Sequence, residues 1–157
     1  MELIEKNASR LGASIVQPML QDGTVLNEAF IGKFDKILLD APCSGLGIMK
    51  RKPDIRHNKT KEDLEDIAAI QRAMIDNAVQ YLKPNGRLVY STCTISYEEN
   101  EKMAREISTK YGLEQENLAN TMPKCLREHV KEGMIQILPQ MADTDGFFIA
   151  SFRKRSL

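Results

Sequence analysis

The sequence predicts an α/β fold built on a doubly wound, mostly parallel sheet. Three observations point there. Strand-like and helix-like runs alternate, in the order helix, strand, strand, helix, strand, helix, strand, strand. The run at 34–41 (FDKILLDA) is apolar on both faces, as central strands of parallel sheets are. The last two strand-like runs are joined by a tight turn, which adds one antiparallel strand at the far edge. At 157 residues the chain fits one domain with a proper core.

Residues 2–11 read as a helix stopped by Gly12. Residues 13–19 form a short, partly β-branched run that predicts a strand, with the turn Asp22-Gly23-Thr24 just beyond it. Residues 34–41 follow as a buried central strand. The clearest helix spans 62–82, where Leu64, Ile67, Ala68, Ile75, Ala78, Val79 and Leu82 share one face. Gln71 lies on that face too. A buried polar side chain needs a partner, so Gln71 is expected to reach a loop at the sheet edge. Lys83-Pro84-Asn85-Gly86 ends the helix. Residues 87–93 (RLVYSTC) make a second central strand, and 98–111 a second amphipathic helix. Residues 133–138 and 147–153 are the closing strands, with Asp143-Thr144-Asp145-Gly146 as the turn between them.

Lys plus Arg equal Asp plus Glu at 22 each, so overall charge gives no sign of a nucleic-acid partner. The local distribution differs. Lys50, Arg51, Lys52, Arg56, Lys59 and Lys61 crowd into one stretch against Asp54 alone. Such a run is either a solvated face or a phosphate-contacting patch. The three cysteines are odd in number and widely spaced, with no secretory leader ahead of them. Free thiols in a reducing cytoplasm are therefore expected. No CxxC or HxxxH pair suggests a zinc site, and no apolar run approaches membrane-spanning length.

Ligands of doubly wound sheets bind at the carboxyl ends of the strands. Asp22, residues 40–47 and residues 93–96 all fall at such ends, so the unusual residues converge on one site. A cysteine in a strand is most often small core filler. Cys43 and Cys93 weaken that reading, because each ends a strand beside small polar loop residues. A thiol there, near backbone N–H groups, can act as a nucleophile. Pro42 stiffens the loop, and Gly45 and Gly47 let a backbone or a flat ligand approach closely. Asp40 is a candidate for holding an amine or a proton, or else caps the loop.

Several segments together carry a family resemblance. They are 38–47 (LLDAPCSGLG), Lys52-Pro53-Asp54-Ile55-Arg56, 89–94 (VYSTCT), Glu98-Glu99-Asn100-Glu101 and Asp145-Gly146-Phe147-Phe148. In order and spacing they resemble the Sun/Fmu (RsmB-type) RNA cytosine-5 methyltransferases over nearly the whole chain. The resemblance implies a Rossmann-like catalytic domain, S-adenosylmethionine as methyl donor, and RNA as substrate. It implies Cys93 as the nucleophile that adds to carbon 6 of cytosine. Asp40 would hold and protonate the base and lie beside the donor, and Cys43 would assist release. Asp22 resembles the family acid at the adenine. Arg51, Arg56, Lys50 and Lys52 would line a phosphate-contacting lip. The target base must leave any stack to enter such a pocket.

The family's A-x-P-G-G-K-T donor loop and its ribose-binding acid have no counterpart here, since no two glycines are adjacent. Residues 2–11 resemble the helix after the family's second strand. The expectation is a single truncated catalytic domain over 1–157 that lacks the first two strands. Such a stretch would bind the donor weakly and be inactive alone, and its exposed sheet invites cover by a second copy. The expected RNA is small-subunit rRNA, with tRNA second. The rival readings are a non-catalytic RNA-binding or assembly module, an exocyclic-amine methyltransferase and a thiol redox protein. The third lacks CxxC spacing. The second would carry a D/N-P-P-aromatic loop where this chain has Asp40-Ala41-Pro42-Cys43.

Overall fold

The computed structural model describes residues 1–57 and 60–156, except the side chains of Arg56, His57 and Ala142. The helices are α1 (Glu2–Arg10), α2 (Lys61–Tyr81), α3 (Glu101–Tyr111), α4 (Lys124–Arg127) and α5 (Pro139–Ala142). The strands are β1 (Phe34–Asp40), β2 (Leu82–Thr92), β3 (Glu114–Gln115), β4 (Met134–Ile137) and β5 (Phe147–Arg153). β1 and β2 run parallel, with Asp40 opposite Ser91. β2 pairs antiparallel with β5, whose other edge carries β3 and β4, again antiparallel. This is the expected α/β class, with a mixed sheet that turns antiparallel on the far side.

Alternation along the strands sorts side chains into two layers. Leu88, Tyr90, Phe148, Ala150 and Phe152 face the main core, where no part of them reaches solvent. α2 and α3 cover that face with Ala68, Ile75, Ala78 and Val79 from one and Met103, Ala104 and Ile107 from the other. A bidentate pair, Arg72 Nε and Nη2 to Glu106, ties the two helices at 2.8 and 3.1 Å. On the opposite face Leu126 of α4 packs with Ile135 and Ile137, and Phe147 and Ile149 close over them. α2 begins at a capping box in which Thr60 Oγ1 accepts from the Asp63 N–H and Asp63 Oδ2 from the Thr60 N–H. Caps of this kind contribute about 1 kcal/mol.

Three expectations are corrected. Residues 13–19 form no strand. A groove of about 1010 Å³, lined by Ile15, Met19, Phe34 and Ile37 among others, separates this run from the outer edge of β1. Without a neighbour offering N–H and C=O groups, a β-branched run stays irregular. β1 is not a central strand: among the described residues it pairs on one side only. Ile37 and Leu39 contact the core, whereas Leu38 on the other face is 71% exposed. Finally, β2 starts at Leu82 directly after α2. Residues 83–86 are taken up by a bulge opposite β1, with Asn85 at φ 62°.

Candidate active site

Because β1 and β2 are parallel, their carboxyl ends lie side by side. The loop after β1 and the loop after β2 therefore meet. Cys43 Sγ and Cys93 Sγ stand 3.1 Å apart, and the Cys93 N–H donates to Cys43 Sγ at 3.3 Å. Gly45 takes a left-handed conformation, φ 72°, which lets the chain turn back after Cys43. Gly47 serves close approach instead. Its N–H donates to the Cys93 carbonyl at 3.0 Å, and its own carbonyl accepts from the Gly146 N–H at 2.8 Å. A Cβ at Gly47 would lie 2.1 Å from the Gly146 oxygen. Three loops distant in sequence are thus stitched backbone to backbone around the two thiols.

Both thiols are half-buried and free. Burial pushes the Cys43 thiol up to about 12, and the neighbouring Cys93 sulfur adds to the effect; the N–H groups of Gly45 and Cys93 pull the other way. At neutral pH Cys43 keeps its proton and can offer it to the Cys93 sulfur.

Asp40, opposite Ser91 in the register, accepts a hydrogen bond from Ser91 Oγ on its Oδ1 at 2.8 Å. It stands exposed rather than buried, because β1 has no neighbour on its outer side among the described residues. Asp22 is also exposed. Its Oδ1 accepts from the Thr24 N–H and hydroxyl at 2.9 and 2.7 Å, which holds its carboxyl below the usual carboxylate range. The turn around it docks on α2: Gly23 faces Met74, and the Gly23 carbonyl accepts from Asn77 Nδ2 at 2.8 Å. One turn earlier on α2, Gln71 Nε2 donates to the Pro42 carbonyl at 2.8 Å. The expected partner of Gln71 is therefore the cysteine loop itself. Asp22 and the loop after Asp40 share one helix as their support.

The basic stretch is partly neutralised. Arg51 pairs with Asp145 at 3.0 Å and Lys50 with Asp143 at 3.5 Å, both acids lying in the turn before β5. That turn carries Gly146, so Arg51 is tied to the turn that Gly47 joins to the Cys93 loop. Lys52 is exposed, with no ion pair among the described residues. The Arg56 side chain and residue Lys59 lie outside the described residues.

Sequence reasoning gave no role to four buried polar residues at the site. Ser44 and Thr94, each one position after a cysteine, are hydrogen-bonded to one another at 2.7 Å. Glu99 and Asn100, in the turn before α3, hold these two residues from behind. The signal was present as a hydroxyl residue after each cysteine and as the quoted Glu98-Glu99-Asn100-Glu101 run.

The chain is similar to several known proteins in sequence and in structure. Ribosomal RNA small subunit methyltransferase F from Citrobacter koseri is 42% identical over 156 residues, 98% of this chain and 33% of that protein. Its namesake from Shigella flexneri serotype 5b is 41% identical over the same shares. The chain thus spans about a third of the length of these curated relatives. The crystal structure of NSun6 from Pyrococcus horikoshii with SFG superposes with a TM-score of 0.78 at 35% identity, covering 98% of this chain and 38% of that one. The family model described as 16S rRNA methyltransferase RsmB/F matches residues 1–153, and the chain belongs to that family.

Proposed function

We propose that this chain is the catalytic stretch of an S-adenosylmethionine-dependent RNA cytosine-5 methyltransferase, with small-subunit rRNA as substrate and Cys93 as nucleophile. The observation that carries the reading is the thiol pair at 3.1 Å, set beside Asp40 at the joined ends of β1 and β2. The names of the curated relatives support rRNA.

The residues present would hold part of the methyl donor, the loop and the ribose acid of the family having no counterpart here. Asp22 and Asp40 each leave Oδ2 without a partner among the described residues, available to hydroxyl or amine donors. The adjoining groove offers apolar walls at Phe34 and Ile37 next to Gln21 and Gly23. The solved relative with SFG, an analogue of S-adenosylmethionine, supports the same donor. When bound, S-adenosylmethionine supplies an electrophilic methyl group to carbon 5.

The protein's own steps follow from chemistry. Carbon 5 of cytosine is a poor nucleophile until carbon 6 is attacked. The Cys93 thiol gives its proton to solvent, its sulfur bonds to carbon 6, and the carbon 5–carbon 6 electron pair is drawn toward N3, leaving an enamine that is nucleophilic at carbon 5. Asp40 holds the exocyclic amine, relays a proton from solvent to N3 as that bond forms, and takes it back once the product ring is restored. After methylation Cys43, its own proton released to solvent, takes the proton from carbon 5 as a thiolate. The released pair re-forms the ring double bond and expels the Cys93 sulfur. The two sulfur roles are consistent in time. While Cys93 is free it helps keep Cys43 protonated. Once Cys93 is bonded to carbon that influence falls away and Cys43 gives up its proton more readily, although burial still holds it above the usual thiol range.

The basic lip of Arg51, Arg56, Lys50 and Lys52 would contact phosphates. RNA would compete with Asp143 and Asp145 for Lys50 and Arg51. The test uses a protein that carries this stretch at its relatives' full length, with RNA containing 5-fluorocytosine. The fluorine blocks release, so a covalent adduct accumulates. Cys93→Ala should abolish both adduct and methylation. Methylation by that variant would refute the assignment and leave an RNA-binding module or another chemistry as the reading.

A further inference from the structure

Glu99 is 1% exposed, and no cation lies within ion-pair distance of it among the described residues. A buried carboxylate without a cation is costly unless hydrogen bonds satisfy it. Here they do, and all come from the site. Oε2 accepts from the Ser44 N–H at 2.9 Å and from Gln71 Nε2 at 3.1 Å; Oε1 accepts from Ser44 Oγ at 2.5 Å. With the Ser44 proton given to Glu99, the Thr94 hydroxyl donates to Ser44 Oγ at 2.7 Å, and Thr94 Oγ1 accepts from the Ser96 N–H at 3.3 Å. The chain of donors runs one way, from the Cys93 loop through the Cys43 loop into Glu99. Asn100 does the complementary work on β2. Its Oδ1 accepts from Thr92 Oγ1 at 2.6 Å, and its Nδ2 donates to the Thr94 carbonyl at 3.0 Å and to Gln136 Oε1 at 2.6 Å. Both residues that flank Cys93 are thereby held. The Glu99 carbonyl also accepts from the buried Tyr90 hydroxyl at 2.8 Å, which anchors the dipeptide to the core.

We propose that Glu99 and Asn100 are positioning residues: a two-residue clamp that sets the separation of Cys43 and Cys93, with Glu99 acting on the first loop and Asn100 on the second. The inference deepens the reading above, because a nucleophile and the base that releases it must be held at fixed separation.

Capture of the two thiols by phenylarsine oxide, in a Cys125→Ser background, tests it on this chain without RNA or methyl donor. Arsenic bonds to both sulfurs, and its oxygen leaves with the two thiol protons as water. Only a pair held close is chelated tightly. Glu99→Ala leaves the Ser44 N–H, the Ser44 hydroxyl and the Gln71 amide without their acceptor. It should weaken capture by about tenfold or more. Glu99→Gln keeps an amide oxygen for the Ser44 N–H and Gln71, and its NH₂ can donate to Ser44 Oγ. It should stay within about threefold of the parent. Asn100→Asp removes both donors and should behave like Glu99→Ala. Leu126→Ala, in the separate cluster under β4, should lower the melting temperature without changing capture.

Parent-like capture by Glu99→Ala overturns the clamp. So does a loss in Glu99→Gln equal to that in Glu99→Ala, or an equal loss in Leu126→Ala. If circular dichroism shows Glu99→Ala unfolded, Ser44→Ala and Thr94→Val decide by the same readout. Failure here would leave the Cys93 adduct test untouched, and failure of that test would leave the clamp standing.

Discussion

Gly47→Ala is the sharpest perturbation the site offers. Gly47 does not need positive φ, so alanine meets no backbone strain and the effect is purely one of space. The added Cβ would lie 2.1 Å from the Gly146 oxygen and 2.7 Å from the Cys93 oxygen. To restore even a tight contact of 3.0 Å, the Gly146 carbonyl must retreat by about 1 Å. A shift of that size lengthens the 2.8 Å bond from the Gly146 N–H beyond hydrogen-bond range and strains the 3.0 Å bond to the Cys93 carbonyl. The lost bond costs about 1 kcal/mol and overpacking about 1–3 kcal/mol, giving roughly 2–4 kcal/mol in all. For a chain of this length that lowers the melting temperature by about 10 °C. Thermal unfolding followed by circular dichroism measures it, with urea titration as the equilibrium check. A variant melting within about 2 °C of the parent would refute the close-approach argument.

Further outcomes are expected. Cys43→Ala, in a protein of the relatives' length, should accumulate a covalent RNA complex on denaturing gels, because addition proceeds while elimination stalls; normal turnover with no trapped complex makes Cys43 core filler. Arg51→Glu should weaken RNA binding and lower the slope of log affinity against log salt by about one unit per lost phosphate contact. An unchanged slope returns the stretch to a solvated face. Folding raises the proton affinity of Cys43, so its protonated form belongs to the folded state. That contribution is complete below pH 9.0 and is lost as pH rises towards about 12. Urea titrations across this window should show a steeper decline in the parent than in Cys43→Ser, and parallel curves would contradict the buried-thiol argument.

How much was legible in the sequence depended on the range of the interactions involved. Helices α1, α2 and α3 were readable within a few residues because apolar periodicity and caps are local. Gln71 was readable as a buried polar residue seeking a loop, and the Pro42 carbonyl answers it. The thiol pair was legible because both cysteines end strands of one sheet, and parallel pairing of β1 and β2 then forces those ends together. Tertiary structure alone decided the rest. The run at 13–19 has strand composition, yet strandhood depends on a neighbour, and none reaches it among the described residues. β1 reads as buried on both faces, but Leu38 and Asp40 stand exposed for the same reason. The basic stretch reads as free charge until Asp143 and Asp145, from a turn far along the chain, fold over it. Glu99 and Asn100 look like helix-entry polar residues. Only the meeting of three loops shows them holding the two thiols. Propensity and periodicity are properties of neighbours in the chain, whereas pairing, burial and hydrogen-bond satisfaction are properties of neighbours in space.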